Sequence, residues 1–287
     1  MIPTMNIVAW SRVAPWAEQR QVEQDLIICR AIVELFGDSF LRGQLRFRGG
    51  TALNKLHFSA PIRYSEDLDL VRTCAGPIKP LLQGIRNLLE PWLGEAAYDR
   101  SPVAPKLRFK VPAEDGGPDI RLKVEINTRE IEAFDPVREI PLQVDNPWFS
   151  GRADVATFSR EEMVATKLRA LLQRDKGRDL FDLAQALDRF AGLDAVRAVE
   201  ILGRYLRQSN LAITRAEGEK RMFAKLGAPS FLVDLRPLLS APDAERLTEA
   251  SAKEAFQKVF FRFVILLPGS EWARTAEMKA RFGISSR

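Results

Sequence analysis

From Glu18 to Phe36, the apolar residues Val22, Leu26, Ile27, Ala31, Ile32 and Leu35 recur at helical spacing and predict a helix that packs behind a sheet. A second stripe, Leu81, Leu82, Ile85, Leu88 and Leu89, predicts a helix over Ile78 to Leu93, with Pro77 and Pro91 near its ends. The period then changes to two. Lys106 to Val111 sets Leu107, Phe109 and Val111 against Lys106, Arg108 and Lys110, while Ile120 to Asn127 sets Ile120, Leu122, Val124 and Ile126 against Arg121, Lys123, Glu125 and Asn127. The turn sequence AEDGGPD between them predicts an antiparallel hairpin, its polar face basic except for Glu125.

Residues 131 to 158, with Pro136, Pro141 and Pro147, read as irregular apart from an edge strand near Glu139 to Val144, and a domain boundary is placed near residue 150. Beyond it the pattern is helical. Ser159-Arg-Glu-Glu162 reads as a capping box opening a helix over Glu161 to Arg174, in which Val164, Leu168, Leu171 and Leu172 face inward while Met163, Lys167, Ala170 and Arg174 share another face. Gly177 punctuates, and Arg178 to Phe190 is the next helix, with Asp179 and Asp182 one turn apart. Further helices are expected at Asp194 to Arg207, Arg215 to Leu226, Ala244 to Leu267 and Trp272 to Phe282, and residues 1 to 16 read as an extended arm with a short helix.

The richest chemistry lies between Phe47 and Leu70. A short apolar and basic run, Leu45 to Arg48, is broken by Gly49-Gly50 directly before the helix-forming sequence TALNKLHF, which reads as strand, tight turn, helix. Glycines at such a turn admit a ligand close to the backbone, and the helix start offers unpaired N–H groups to a phosphate. After Pro61, alternation in SEDLDLV places Asp67 and Asp69 on one strand face and Leu68 and Leu70 on the other. Two adjacent carboxylates repel unless a cation sits between them. The bland alternative is a turn cluster ahead of a buried Leu-x-Leu strand. Glu125, a lone acid on a basic strand face, is the expected third carboxylate, with neutralisation of Lys123 and Arg108 as its alternative.

Composition narrows the chemistry. The chain of 287 residues has 46% hydrophobic and 28% charged residues, so it can bury a core in one large domain or two ordinary ones. The longest apolar run, Val259 to Leu267, is interrupted by Arg262 and too short to span a membrane, and the N-terminus lacks the pattern of a signal peptide, so a cytoplasmic protein is expected. Two cysteines, Cys29 and Cys74, cannot build a disulfide scaffold or zinc cluster and read as neutral structural residues. The single histidine, His57, reads as a packing or surface residue, which leaves oxygen ligands and therefore Mg²⁺ or Mn²⁺. A net charge of +5 suits a polyanionic partner.

The strand-GG-helix unit followed by D-x-D is similar to the nucleotidyltransferase fold of polymerase-β-like enzymes. With KVEIN and the later block EEMVATKLRALLQRDKGRDLFDLA, the chain resembles the AbiEii/MenT-type nucleotidyltransferase toxins over roughly residues 30 to 190. The resemblance implies an α+β protein: a polymerase-β-like nucleotidyltransferase domain with a mixed sheet at residues 1 to 150, then an α-helical domain at 151 to 287. It implies an NTP substrate, an RNA acceptor such as the tRNA 3′ end, and a separately encoded antitoxin.

By the same resemblance, Asp67 and Asp69 match the metal pair and Gly49 and Gly50 the phosphate-binding glycines. Thr51 and Ser65 are counted with them as nucleotide-binding residues. Serine often follows the first glycine in the family, and Gly50 here lacks that hydroxyl; Glu125 stands where aspartate is common. Lys167 matches the lysine that meets the triphosphate, and Arg178, Asp179 and Asp182 match the R-D-x-x-D block, which either orients Lys167 or forms a salt-bridged helix. Phosphorylation of Ser65, beside the metal pair, would oppose triphosphate binding. Two other readings stay open, transfer to a small molecule such as an antibiotic and nucleotide binding without turnover.

Overall fold

The structure is a computed structural model and describes residues 2–228 and 233–285. It divides into two compact units, Met1–Ser159 and Arg160–Arg287.

The first unit contains α1 (Thr4–Trp10), α2 (Gln19–Gly37), α3 (Ser39–Gln44), β1 (Leu45–Arg48), α4 (Gly49–Ala52), β2 (Asp67–Arg72), α5 (Lys79–Leu93), β3 (Ala97–Asp99), β4 (Lys106–Val111), β5 (Ile120–Asn127), β6 (Arg138–Asn146) and β7 (Phe149–Thr157). The seven strands form one mixed sheet in the order β3-β4-β5-β2-β1-β7-β6. β2 runs antiparallel to β1 and parallel to β5, so it lies at the centre with neighbours of opposite sense. The alternation of β5 is realised directly: Ile120, Leu122, Val124 and Ile126 are buried, while Arg121, Lys123, Glu125 and Asn127 line the other face. On the covered face Leu68 and Leu70 join Phe47, Leu107 and Phe109, all essentially buried, and each contributes on the order of 2 kcal/mol.

Helix α2 is buried on nearly every side and packs against β5, β6 and β7, with α1 and α5 beside it. It carries a buried charge. Asp25 accepts hydrogen bonds from Trp10 Nε1 and Trp16 Nε1, both at 2.9 Å, and pairs with Lys55 Nζ at 2.5 Å. These bonds repay the desolvation of Asp25 and pin the N-terminal arm to the segment after α4. That segment, Leu53–His57, continues α4 as a wider π-type turn.

The hairpin of β4 and β5 matches the sequence expectation residue for residue. The segment from 131 to 158 holds the edge strand expected near Glu139 to Val144, present as the nine-residue β6, and also β7, of nine residues as well, where irregular chain was expected. Its prolines are compatible with a sheet because Pro141 lies on β6, the edge strand, and Pro147 lies in the turn between the two. Cys29 is buried, and burial pushes its thiol up to about 12, whereas Cys74 is exposed. His57 is buried in the first unit, with Nε2 3.5 Å from Thr157 Oγ1.

The second unit is helical among the described residues: α6 (Arg160–Gln173), α7 (Gly177–Arg189), α8 (Ala195–Gln208), α9 (Arg215–Leu226), α10 (Ala241–Arg246), α11 (Glu249–Arg262) and α12 (Thr275–Phe282). The single helix expected from Ala244 to Leu267 is broken because Thr248 caps a new one, accepting from the Ser251 N–H at 3.2 Å in a reciprocal capping box. Phe256 and Phe260 stack in its core, with Phe223 tilted against both. No helix among the described residues is long and apolar enough to cross a membrane.

Candidate active site

The uncovered face of the first unit's sheet collects the charged residues. Parallel pairing of β2 with β5 sets Asp67 beside Lys123 and Asp69 beside Glu125, and antiparallel pairing with β1 sets Arg48 on the other side of Asp69. The three carboxylates expected from the sequence therefore share one face of two adjacent strands. Lys123 Nζ lies 3.0 Å from Asp67 Oδ2 and 3.3 Å from Glu125 Oε2, and Lys106 Nζ lies 3.6 Å from Glu125. Arg48 is turned away to Glu130, at 2.6 Å.

The glycine turn closes this face. Gly49 adopts φ +85°, and a Cβ placed on it would fall 2.2 Å from Asp69 Oδ2, so only glycine brings the chain this close to the carboxylate. At Gly50 a Cβ would fall 2.6 Å from a guanidinium nitrogen of Arg63. Thr51 Oγ1 is 2.8 Å from Ser65 Oγ and donates to the Asp67 carbonyl at 2.5 Å, tying the helix start to the strand start. Asn54 donates to the Gly50 carbonyl at 2.9 Å and accepts the Ile62 and Arg63 N–H groups, both at 3.3 Å. The turn and the loop into β2 are thus one hydrogen-bonded body. Gly49, Gly50, Thr51, Ser65, Asp67, Asp69 and Glu125 come together in the first unit.

Asp69 is charged at a cost. Burial raises its pKa, the Asp67 and Glu125 carboxylates raise it further, and Lys123 and Arg48 only partly oppose them. Burial also disfavours the Lys123 ammonium, but Asp67, Asp69 and Glu125 outweigh it and raise its pKa. Among the described residues no three acidic, thiol or imidazole groups converge on one cation position. The donors are nonetheless hard oxygens, they repel one another, and a protein ammonium is already drawn between two of them, which fits a divalent cation of the Mg²⁺ or Mn²⁺ type.

The second block of motif residues forms its own cluster in the helical unit. Lys167 on α6 is buried, its ammonium 2.7 Å from Asp182 Oδ2 and 3.3 Å from Asp179 Oδ1 on α7. Arg174 adds a two-pronged bond to Asp179, at 2.7 and 2.9 Å. Burial works against ionisation of Asp179, but Arg174 and Lys167 prevail and lower its pKa. Arg178 stands apart, half-buried and without a side-chain partner among the described residues.

One residue escaped the sequence reading. Arg63, buried at 3% exposure, presents its guanidinium to Gly50 and donates to the Tyr64 carbonyl at 2.9 Å. A basic residue just before the acidic strand was the available signal. For Lys123, the pairing with Glu125 was the expected alternative and is present at 3.3 Å, whereas its approach to Asp67 at 3.0 Å follows from the β2–β5 register.

A central strand with paired carboxylates, fronted by a glycine turn and a short helix on a mixed sheet, is the architecture of a nucleotidyltransferase. The chain matches the family described as nucleotidyl transferase AbiEii toxin, type IV toxin–antitoxin system, over residues 30–269, and it belongs to that family. Its fold is similar to that of MenT4, a nucleotidyltransferase toxin from Mycobacterium tuberculosis, with a TM-score of 0.61, 16% identity and 99% of each chain covered. It is also similar to JHP933 from Helicobacter pylori, with a TM-score of 0.57, 18% identity, and 93% of this chain and 96% of that one covered. Among curated proteins, none matches the chain. The protein is thus a nucleotidyltransferase of a toxin family, which implies an NTP substrate and a separate antitoxin.

Proposed function

We propose that the protein transfers a nucleoside monophosphate from an NTP to an RNA acceptor, the tRNA 3′ end being the favoured candidate. The observation that carries the reading is the contact of Gly49 with Asp69: the turn suited to phosphate and the carboxylates suited to metal meet at one point of the sheet. Asp67, Asp69 and Glu125 would hold Mg²⁺ or Mn²⁺, which when bound polarises the phosphoryl group and favours the attacking alkoxide and leaving pyrophosphate. The backbone N–H groups of Gly49 and Gly50 cradle a phosphate, and Arg63 behind Gly50 supplies positive charge to the same turn. Thr51 and Ser65 fix the turn against Asp67, and within the helical unit Asp179 and Asp182 orient Lys167, which the family motif marks as a nucleotide-binding residue.

RNA as acceptor is supported by the hairpin face. Lys110 and Arg121 are exposed, directly cross-strand, and neither has a side-chain partner among the described residues. Like charges so placed repel, and a phosphodiester backbone relieves them.

The test is label transfer from each of four α-labelled NTPs in the presence of Mg²⁺ and total tRNA, by wild type and Asp67→Ala. Labelled tRNA, lost in the variant, is expected and names the nucleotide. Label on a small-molecule acceptor alone would move the activity to the antibiotic-modifying class. Nucleotide binding with no label on any acceptor would leave a sequestering protein.

A further inference from the structure

The cations around the carboxylates are not equivalent. Arg48 is held by Glu130, and Lys106 reaches only Glu125. Lys123 alone bridges two carboxylates, Asp67 at 3.0 Å and Glu125 at 3.3 Å, and it is the one side chain among the described residues that bonds the Asp67 carboxylate. Asp69 has no hydrogen bond or ion pair among the described side chains. The Lys123 ammonium therefore sits where Asp67 and Glu125 both attract it. Lys123 is also partly exposed, 25% of its side chain, and sits on a flexible four-carbon stem, so its head can swing away without disturbing the sheet.

We propose that Lys123 is a tethered counter-ion of the carboxylate site: it neutralises Asp67 and Glu125 in the metal-free protein, competes with the divalent cation for them, and on displacement turns to the phosphates of the incoming nucleotide. The inference rests on the metal reading of Asp67, Asp69 and Glu125. Its consequence is ordered loading. A free divalent ion meets a site already neutralised and binds weakly, whereas an ion arriving with a polyphosphate offers Lys123 a new anionic partner at the moment it loses the old one. One ammonium thus lowers affinity for bare metal and raises it for the metal–phosphate pair.

The experiment measures Mn²⁺ binding to the full chain, by the electron paramagnetic resonance signal of free Mn²⁺, for wild type, Lys123→Met and Lys110→Met. Inorganic triphosphate binding at saturating Mn²⁺ is then measured by calorimetry. Lys123→Met is expected to bind bare Mn²⁺ about tenfold more tightly and triphosphate about tenfold more weakly. Lys110→Met makes the same charge change on the same face away from Asp67 and should move Mn²⁺ affinity less than about twofold. Lys123→Gln should reproduce Lys123→Met, and thermal melts confirm that each variant is folded. Equal or weaker Mn²⁺ binding by a folded Lys123→Met, or an equal gain in Lys110→Met, overturns the proposal and leaves the metal reading standing. Absence of Mn²⁺ binding in both wild type and Lys123→Met overturns the metal reading and this proposal together.

Discussion

Gly49 and Asp69 are in a contact that no side chain at position 49 can tolerate: a Cβ there would lie 2.2 Å from the carboxylate oxygen, on a backbone at φ +85°. Gly49→Ala should therefore cost about 1–3 kcal/mol in strain and clash and displace Asp69 enough to lower transfer by about a hundredfold. Gly50→Ala should be milder, because Gly50 has no positive φ and its obstruction is the end of the Arg63 side chain. Comparison of denaturant midpoints and single-turnover rates for the two variants checks the ordering. Equal losses would mean that the Asp69 contact is not what requires glycine.

Asp69 carries a stability penalty, of the kind its proposed role as a metal ligand would entail. Its carboxyl is raised in the fold, first by burial and then by Asp67 and Glu125, so its contribution is most favourable when it is protonated. That contribution is fully present below the unfolded carboxylate range, about pH 3.9, and is lost as pH rises through the raised value of the folded state. Asp69→Asn should accordingly raise the melting temperature of the metal-free protein near pH 7 by a few degrees, with the gain shrinking toward pH 4, while abolishing transfer. A melting temperature lowered at pH 7 would contradict the penalty.

How much of this was legible in the sequence follows from the range of each interaction. The alternation of Lys106–Val111 and Ile120–Asn127 reports a local choice of face, and the structure reproduces it, as it does the helical stripe of Gln19–Gly37. The pairing of Asp69 with Glu125 was anticipated from charge alone, a single acid on a basic face. The parallel register that creates it joins strands more than fifty residues apart and leaves no local trace. The approach of Lys123 to Asp67 follows from that register and was invisible for the same reason, whereas its pairing with Glu125, two residues along the same strand, was an expected alternative. β6 was legible as an edge strand near Glu139 to Val144, where Pro141 is harmless, but β7 was not, because its pairing with β1 is a property of the assembled sheet. The anchoring of Trp10 and Trp16 on Asp25 is likewise tertiary, and it turns an arm without periodicity into part of the core.

The Lys167 cluster is expected to govern acid sensitivity of the helical unit. Asp179 is fully buried and its pKa is lowered in the fold, against its burial, by Arg174 and Lys167. Its stabilisation is present above the unfolded carboxylate value, about pH 3.9, and is lost as pH falls through the depressed folded value. Asp179→Asn should destabilise the protein by about 3 kcal/mol at pH 7 and flatten the fall in stability below pH 4. Lys167→Met, which leaves Asp182 buried without its 2.7 Å partner, should be at least as costly. Urea denaturation at several pH values measures both. A Lys167→Met protein as stable as wild type would show that the lysine is not retained for the fold.

Lys110 and Arg121 are predicted to behave in the opposite way, adding binding without adding stability. They face each other across β4 and β5, exposed, on the same side of the sheet as Lys123 and Glu125. Elsewhere on that face the cations are committed: Lys106 and Lys123 to carboxylates, and Arg108 to Asp99 at 3.1 Å. Replacing Lys110 and Arg121 with glutamine removes a like-charge cross-strand pair, so stability should be unchanged or slightly raised, by up to about 0.5 kcal/mol. If the pair tracks an RNA backbone, the double variant should bind tRNA more weakly at every sequence, and its plot of log affinity against log salt should be shallower by nearly two charges. The nucleotide preference of transfer should not change, because phosphate contacts position an acceptor without reading bases. Filter binding of labelled tRNA over a salt series decides it: an unchanged slope would remove the hairpin from the acceptor path, even if the chemistry at Asp67 and Asp69 stands.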